Sequence, residues 1–482
     1  MNTEEITLYI DENGDDSNSG TRDDPLWSVA MALNRVRKRA YKAACFVISG
    51  SVTEVAAQKA MIDITGDGLP IILLRGESAE RPGILNAKGL EKRVIYVADD
   101  NTLCIEGHIA IRGGVTQGLG GAGIAVEGAT LIMKGGEISD NDARFGMGGG
   151  VYVGRDGKFV MLGGAITRNH TKLHGGGVFP DDGGKFTLFD GTISGNTAFV
   201  SGAGVFVGLD SEFKMLGGCI EKNMAGGQDG MMLAGMSIPC GQGGGVYVCQ
   251  NALFEMEDGK IIKNRAIAAG RNDHAGSGGG VFVEKGGVCC IAQGSLAQNG
   301  AMNWGGGLYS QGHFTVTAEC IIENNVARLG GGGIYITQEW GICEMKGGFL
   351  LNNYTGGKGG AVHVTENATF ILEHGFITRN HAGELGHAFL INGKAAINGG
   401  LIFNNKYLPE NEFYQHPEPE APEPEAPDVE LPEADEDVPA LVLEEGGKLI
   451  IRGGEIEGKI ALKSKTQLVD LREQKTVNRQ EE

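Results

Sequence analysis

Short apolar segments recur along this chain, separated by polar or glycine-bearing turns, and they fall into columns when set in register. One segment alternates aliphatic and aromatic residues after a glycine run, as in Val151-Tyr152-Val153, Val205-Phe206-Val207 and Val281-Phe282-Val283. A second gives two columns at strand alternation, one opening Leu131, Phe159, Phe186, Phe213, Phe254 and the other Met133, Met161, Leu188, Met215, Met256. A third gives Ile138, Ile166, Ile193, Ile220, Ile261, Leu296, Ile321, Leu350, Ile377 and Ile402. Residues two apart on a strand face the same way, so columns that stay apolar through ten periods stack inside a closed body. Three strands and three turns in about 27 residues fit one coil of a parallel β-helix.

An asparagine follows the third segment in each period: Asn141, Asn169, Asn196, Asn223, Asn264, Asn299, Asn324, Asn353, Asn380 and Asn405. Its expected place is a coil corner, because Asn tolerates left-handed backbone and its amide both donates and accepts. Glycine numbers 82 residues without a G-X-Y period, which excludes collagen and supplies the next corner of each coil.

A helical cap is expected ahead of the coils. Asp24-Pro25 reads as N-cap and first-turn proline, and Leu26, Val29, Ala30, Leu33 and Val36 form one apolar face. Arg35, Arg37, Lys38, Arg39 and Lys42 crowd its end, where cations suit the helix dipole. Three insertions, residues 224–242, 265–277 and 408–440, leave from the asparagine corner. The chain thus divides into an N-terminal strand, loop and helix leading into first coils (1–80), coils (81–407), an acidic Pro/Glu-rich insertion expected to be disordered (408–440), a terminal coil (441–458) and a cap or tail (459–482).

Net charge is −20, but residues 409–445 hold fourteen Asp or Glu and no Lys or Arg, leaving −6 for the rest. Nothing resembles a basic nucleic-acid footprint, and no stretch is long and apolar enough to span a membrane. The opening MNTEEITLYIDENGDDSNSG lacks the basic start and apolar core of a secretory signal, so the chain as written reads as cytoplasmic. Nine cysteines is an odd number, which weighs against a complete disulfide framework. Cys289 and Cys343 share a core column two coils apart, beyond disulfide reach; Cys219 and Cys320 are read as sharing another, and Cys240 and Cys249 are left as an open pair.

The unit Ile193-Ser194-Gly195-Asn196-Thr197-Ala198 followed by Gly202-Ala203-Gly204-Val205 resembles repeats of the chlamydial polymorphic outer-membrane proteins and of adhesin-like bacterial β-helix proteins. The opening TLYIDENGDDSNSGTRDDPLWSVAMAL resembles the start of pectin-lyase-like right-handed β-helices. Together these resemblances cover about residues 7–405. They imply an all-β, single-stranded right-handed parallel β-helix (a solenoid) with an N-terminal capping helix, and a secreted or cell-surface location if the start is truncated. The chain departs from those autotransporters in lacking a barrel-like C-terminal segment and in having I-x-x-N where they have F-x-x-N.

Enzymes of the resembled fold cleave acidic polysaccharides with clustered carboxylates or calcium and a basic residue. The candidate catalytic pair is Asp181-Asp182, set against the reading of a solvated turn; Gly-His-Gly is absent. Asp11, Asp15 and Asp16 are the candidate calcium ligands, without the ordered spacing of an EF-hand. His363, His374, His381 and His387 lie close in sequence but fall in different columns, which leaves a convergent metal site unformed. Tyr152, Phe179, Phe206, Tyr247, Phe282, Tyr309 and Tyr335 alternate with core valines, so they face outward as a ring column, followed by His363. That column and the insertions are the candidate binding surface for a glycan or protein ligand, the alternative being a stack covered by the chain or a partner. The leading expectation is therefore a non-enzymatic β-helix that presents a surface for binding or adhesion. The alternatives are a polysaccharide lyase or hydrolase, marked by carboxylates and a cation converging on one face, and a purely structural rod.

Overall fold

The computed structural model describes residues 5–37, 41–54, 59–118, 120–227, 232–233, 236–237, 240–267, 275–317, 319–338, 340–405, 439–472 and 475–479; the acidic stretch from 408 to 438 and parts of the other two insertions (228–231, 234–235, 238–239 and 268–274) lie outside them. Among these residues the chain is a parallel β-helix with a single helix, α1 (Val29–Arg37). It forms two compact units, residues 1–223 with 252–254 (unit 1) and 224–251 with 255–482 (unit 2).

A coil of unit 1 runs through Val151–Val153, Lys158–Met161, Ala165–Thr167 and the two-residue strand His170–Thr171. These belong to what we term the third, first, second and corner sheets. Each pairs in parallel with its equivalent one coil on: Val151 with Val178, Phe159 with Phe186, Ile166 with Ile193, His170 with Thr197. Unit 2 repeats the plan, pairing Val281 with Leu308, Cys289 with Phe314, Leu296 with Ile322 and Gly300 with Val326. Because the register is unshifted, like residues stack on like. Phe159, Phe186, Phe213 and Phe254 follow one another at 4.8 Å between ring centroids, all in the core of unit 1. Burying each such side chain is worth about 1.5–3 kcal/mol, so the core of every coil carries its own stability.

The asparagines form one ladder in each unit. In unit 1, Asn141 Nδ2 donates to Asn169 Oδ1 (2.9 Å), Asn169 to Asn196 (3.0 Å) and Asn196 to Asn223 (3.0 Å). In unit 2 the steps Asn264, Asn299, Asn325, Asn353, Asn380 and Asn405 bond at 2.9–3.1 Å. Along the ladders Oδ1 also accepts the backbone N–H of the preceding asparagine and Nδ2 donates to a core-strand carbonyl, as in Asn299 N to Asn325 Oδ1 (3.0 Å) and Asn325 Nδ2 to Leu296 O (2.9 Å).

Two expectations are corrected here. The ladder residue of its coil is Asn325, not Asn324, and the core residue three before it is Ile322, not Ile321; doubled Ile and Asn in IIENN allowed a one-residue slip. The same offset removes Cys320 from the position of Cys219: Cys219 lies on its strand, whereas Cys320 precedes Ile321–Glu323. The left-handed corner, moreover, is the residue before each ladder asparagine. Asp140, Arg168, Gly195, Lys222, Lys263, Gln298, Asn324, Asn352, Arg379 and Asn404 all have φ between 51° and 62°. Asparagine is needed at the next position for its buried amide, not for its backbone.

A glycine of the run ahead of the third sheet also turns left-handed, Gly175 at φ 68° for example. The next, Gly176, serves close approach: a Cβ there would sit 2.6 Å from the carbonyl oxygens of Thr197 and Ala203.

At the N-terminus α1 buries Val29, Ala32, Leu33 and Val36 against the strands Glu5–Asp11, Ala43–Val52 and Ala60–Ile64. Its cap is Ser28, whose Oγ accepts from Met31 N (3.1 Å), so Asp24-Pro25 belongs to the preceding turn. Glu54 accepts from Ala30 N (3.2 Å), and Asp16 holds Ser28 through N (2.8 Å) and Oγ (2.7 Å). At the other end, parallel pairing continues past 458, Ile460–Leu462 on Leu441–Leu443 and Thr466–Asp470 on Lys448–Ile451.

Replacing Asn325 by Ala strands the N–H groups of Asn299 and the Leu296 carbonyl, at roughly 1–3 kcal/mol for each unmet buried group. Asn324→Ala keeps the ladder and pays only for left-handed backbone, roughly 1–2 kcal/mol. Urea denaturation should therefore show a clearly larger loss for Asn325→Ala. Equal losses would mean that the ladder is not what holds the corner.

Candidate binding site

In the third sheet the aliphatic residues face inward and the aromatic residue between them faces out. In unit 2, Tyr247, Phe282, Tyr309 and Tyr335 stack with centroids 4.9, 4.6 and 5.2 Å apart and planes within 14°. In unit 1, Tyr152, Phe179 and Phe206 follow at 5.7 and 5.0 Å, tilted instead of parallel. The outward column is nonetheless buried, from Tyr309 at 0% exposure to Tyr335 at 9%, with only Tyr152 of the seven half-buried. Its cover includes residues just ahead of the glycine runs: His174 lies 4.5 Å from Phe206, and Trp304 lies 4.8 Å from Tyr335. The expected open ring platform is thus a second apolar layer. Strand alternation sets the side a ring occupies but not what folds over it.

The layer opens where the stack ends. One coil beyond Tyr335, the column position holds His363, edge-on to the Tyr335 ring at 4.9 Å and to Trp304 at 6.1 Å. Two hollows meet there. One, of about 490 Å³, is lined by Tyr335, Thr337, Gln338, Thr365, Glu366 and Asn367 together with His363 and Asn392. The other, of about 340 Å³, lies among Trp304, Leu329, Lys358, Glu384, Leu390 and Glu444 and shares the same His363 and Asn392. Gly330 makes this possible, since a Cβ there would sit 2.8 Å from His363 Nδ1 and 3.0 Å from the Trp304 ring. His363 is 7% exposed, Asn392 hydrogen-bonds its ring, and Nδ1 has no partner among the described residues. Burial pushes its pKa down to about 4, so the imidazole is neutral at pH 7. Thr337, Thr365 and Asn392 follow in one column beside the rings, so the hollows combine aromatic walls with hydroxyl and amide groups.

Asp181 and Asp182 have different surroundings. Asp182 is exposed, left-handed at φ 50°, and paired with Arg155 at 2.8 Å. Asp181 is half-buried beside Tyr152, and burial raises its pKa. The carbonyl of Val126 accepts from Gly154 N, and that of Val153 from Asp181 N, so Glu127, Gly154 and Asp181 share one outward column. Tyr96 donates to Glu127 Oε2 (2.6 Å) and accepts from Lys59 Nζ (3.1 Å), and the Arg93 guanidinium lies 5.6 Å from the Tyr96 ring. Burial, with Asp181 and Glu127 adding to it, pushes the Tyr152 pKa up to about 12, which keeps that phenol protonated. Sequence spacing could not find Glu127, Tyr96 or Lys59, because only coil register brings them beside Asp181.

The remaining candidates are dispersed. Asp11 pairs with Arg81, Asp15 accepts from Ser17 N (2.8 Å) and Asp16 holds Ser28, so the three carboxylates serve different turns. His381 stacks on His387 at 4.7 Å and on Tyr354 at 5.5 Å, while His374 is exposed on a turn. Among the described residues no three His, Cys, Asp or Glu side chains are placed to hold a metal. All nine cysteines are free; Phe314 separates Cys289 from Cys343, and Cys249 Sγ donates to Glu284 at 3.1 Å.

A histidine whose folded pKa is depressed stabilises the fold fully above its unfolded value near 6.5, and that contribution drains away as pH falls towards 4. For His363 the slope is at most about 1.4 kcal/mol per pH unit across that window. His363→Gln should flatten this part of the stability–pH curve measured by urea titration; an unchanged slope would refute the buried neutral imidazole. No protein-family model matches this chain, and no curated protein or solved structure matches it.

Proposed function

We propose that this protein is a non-catalytic β-helix that binds a saccharide chain in the paired hollows around His363, and that its right-handed, pectin-lyase-like coils present that site in an adhesin-like role at a cell surface or outside the cell. The observation that carries this reading is the junction of aromatic walls (Trp304, Tyr335) with amide and hydroxyl groups (Asn392, Thr337, Thr365) at one place. Sugars offer an apolar ring face and a rim of hydroxyls, and such sites combine a stacking surface with a few placed hydrogen-bonding groups. Glu444 pairs with Lys463, and Glu366 and Glu384 stand against one lysine, Lys358, so neutral saccharides suit the hollows better than uronates.

The test is a glycan array followed by calorimetry on the intact protein. Asn392→Ala and Trp304→Ala should each weaken binding of a retained glycan about tenfold or more, equivalent to about 1.4 kcal/mol. Retention of no glycan, or affinity indifferent to both changes, would sink the proposal.

A second reading, cleavage of a polysaccharide by unit 1, draws support from Glu127 and Asp181 sharing a column with Lys59 and Arg93 nearby. Two coils separate the carboxylates by roughly 10 Å at the strand spacing, close to the upper end of the separation used by inverting hydrolases. It expects new reducing ends from a polysaccharide panel, abolished by Asp181→Asn; absence of any product would remove this reading.

A further inference from the structure

The outward face of the second sheet turns apolar within unit 2, from Ile321 on. In unit 1 its two outward columns read Glu137, Ala165, Thr192, Cys219 and Ser139, Thr167, Ser194, Glu221. Arg168 there bridges Glu137 at 2.9 Å and Asp140 at 3.0 Å, while Glu221 makes no ion pair among the described residues. In unit 2 the same columns begin Lys260, Ser295 and Ile262, Ala297, and then read Ile321, Phe349, Phe376, Leu401 and Glu323, Leu351, Thr378, Phe403. The Phe349 and Phe376 rings stack at 5.3 Å and 8°, and Phe376 and Phe403 are each 39% exposed. The scaffold accepts polar residues at these positions, as unit 1 shows, so the coil itself does not require the apolar stripe. Exposed Phe376 and Phe403, beside half-buried Ile321, Phe349, Leu351 and Leu401, make an apolar surface of the kind that marks an interaction site.

Charge placement narrows the occupant. Glu323 stands at one end of the stripe, and Glu455 and Glu457 at the other. None of the three makes an ion pair among the described residues, nor does Arg379 on the flank, in contrast to Arg168 in unit 1. A second copy of this chain fits poorly. Face-to-face pairing about a two-fold axis along the coil stack sets Glu323 against Glu323. An axis along the strands sets Glu323 against Glu455 and Glu457. Like charges facing each other across an interface oppose association.

We propose that this face docks a segment of a partner protein that carries an apolar stripe with Lys or Arg at both ends. From Glu323 to Glu457 is four coil steps, roughly 19 Å, which sets the separation of the partner's cations.

Selection of a phage-displayed random 16-residue peptide library on the intact protein tests this. Enriched sequences should pair an apolar core with basic flanks, and a synthetic copy should bind the Phe376→Glu/Phe403→Glu double variant at least tenfold more weakly. Circular dichroism and an unchanged melting temperature would show that this variant folds. Glu323→Gln/Glu455→Gln/Glu457→Gln, which keeps the apolar stripe, should reduce both affinity and its salt dependence. Enrichment of acidic peptides, no enrichment, or binding that survives the phenylalanine changes would overturn the proposal. So would a concentration-dependent dimer in sedimentation that the phenylalanine changes abolish, since the occupant would then be a second copy.

Discussion

A buried primary amide has to satisfy both its oxygen and its nitrogen, and in each unit the equivalent asparagine one coil away meets much of this demand. Along the ladders Oδ1 takes two N–H groups from its neighbour, and Nδ2 spans to the neighbour and to a core carbonyl. Such a chain of bonds tolerates no slip of register, since one residue of shift would strand every amide in it. The in-register stacks of phenylalanine, the unshifted sheets and the left-handed residue before each corner all follow from that requirement. What the ladder does not constrain is the length of chain between corners. Asn264 and Asn299 lie 35 residues apart and bond at 3.1 Å, while Asn380 and Asn405 lie 25 apart and bond at 2.9 Å. Extra residues can therefore enter a coil without disturbing its neighbours.

The same scaffold offers different outward faces because inward and outward residues are chosen independently. On the third sheet, Phe206 and Tyr335 are covered by the residue ahead of the preceding coil's glycine run, His174 and Trp304, and the apolar layer persists while rings follow rings. His363 interrupts it. An imidazole set edge-on does not continue the parallel stack, and hollows open on either side of it. On the second sheet no such cover is in position among the described residues, and Phe376 and Phe403 remain in contact with water.

Much of the fold was legible in the chain. Core columns, the asparagine series and the glycine corners follow from periodicity, because a core that repeats must repeat its residues. The failures have local causes. IIENN offered two registers of equal hydrophobic quality, and only the hydrogen bonds of Asn325 distinguish them. Asp24-Pro25 carried a cap signature that Ser28, four residues on, in fact supplies. The site was far less legible. His363 appeared as the end of the ring column and as one of four neighbouring histidines. Its association with Trp304, Lys358, Glu384 and Asn392 needs residues of three coils brought together.

Sequence by itself determined that this chain coils, which residues fill the coil, and that an asparagine amide closes each turn. These are consequences of a repeat, and a repeat is written along the chain. Only the tertiary structure decided which outward residues meet water. Exposure depends on what a neighbouring coil or a preceding loop lays over a side chain, and that information lies some 25–35 residues away from the residue concerned. The ring column is buried, Phe376 and Phe403 are exposed, and a histidine lies between two hollows for that one reason.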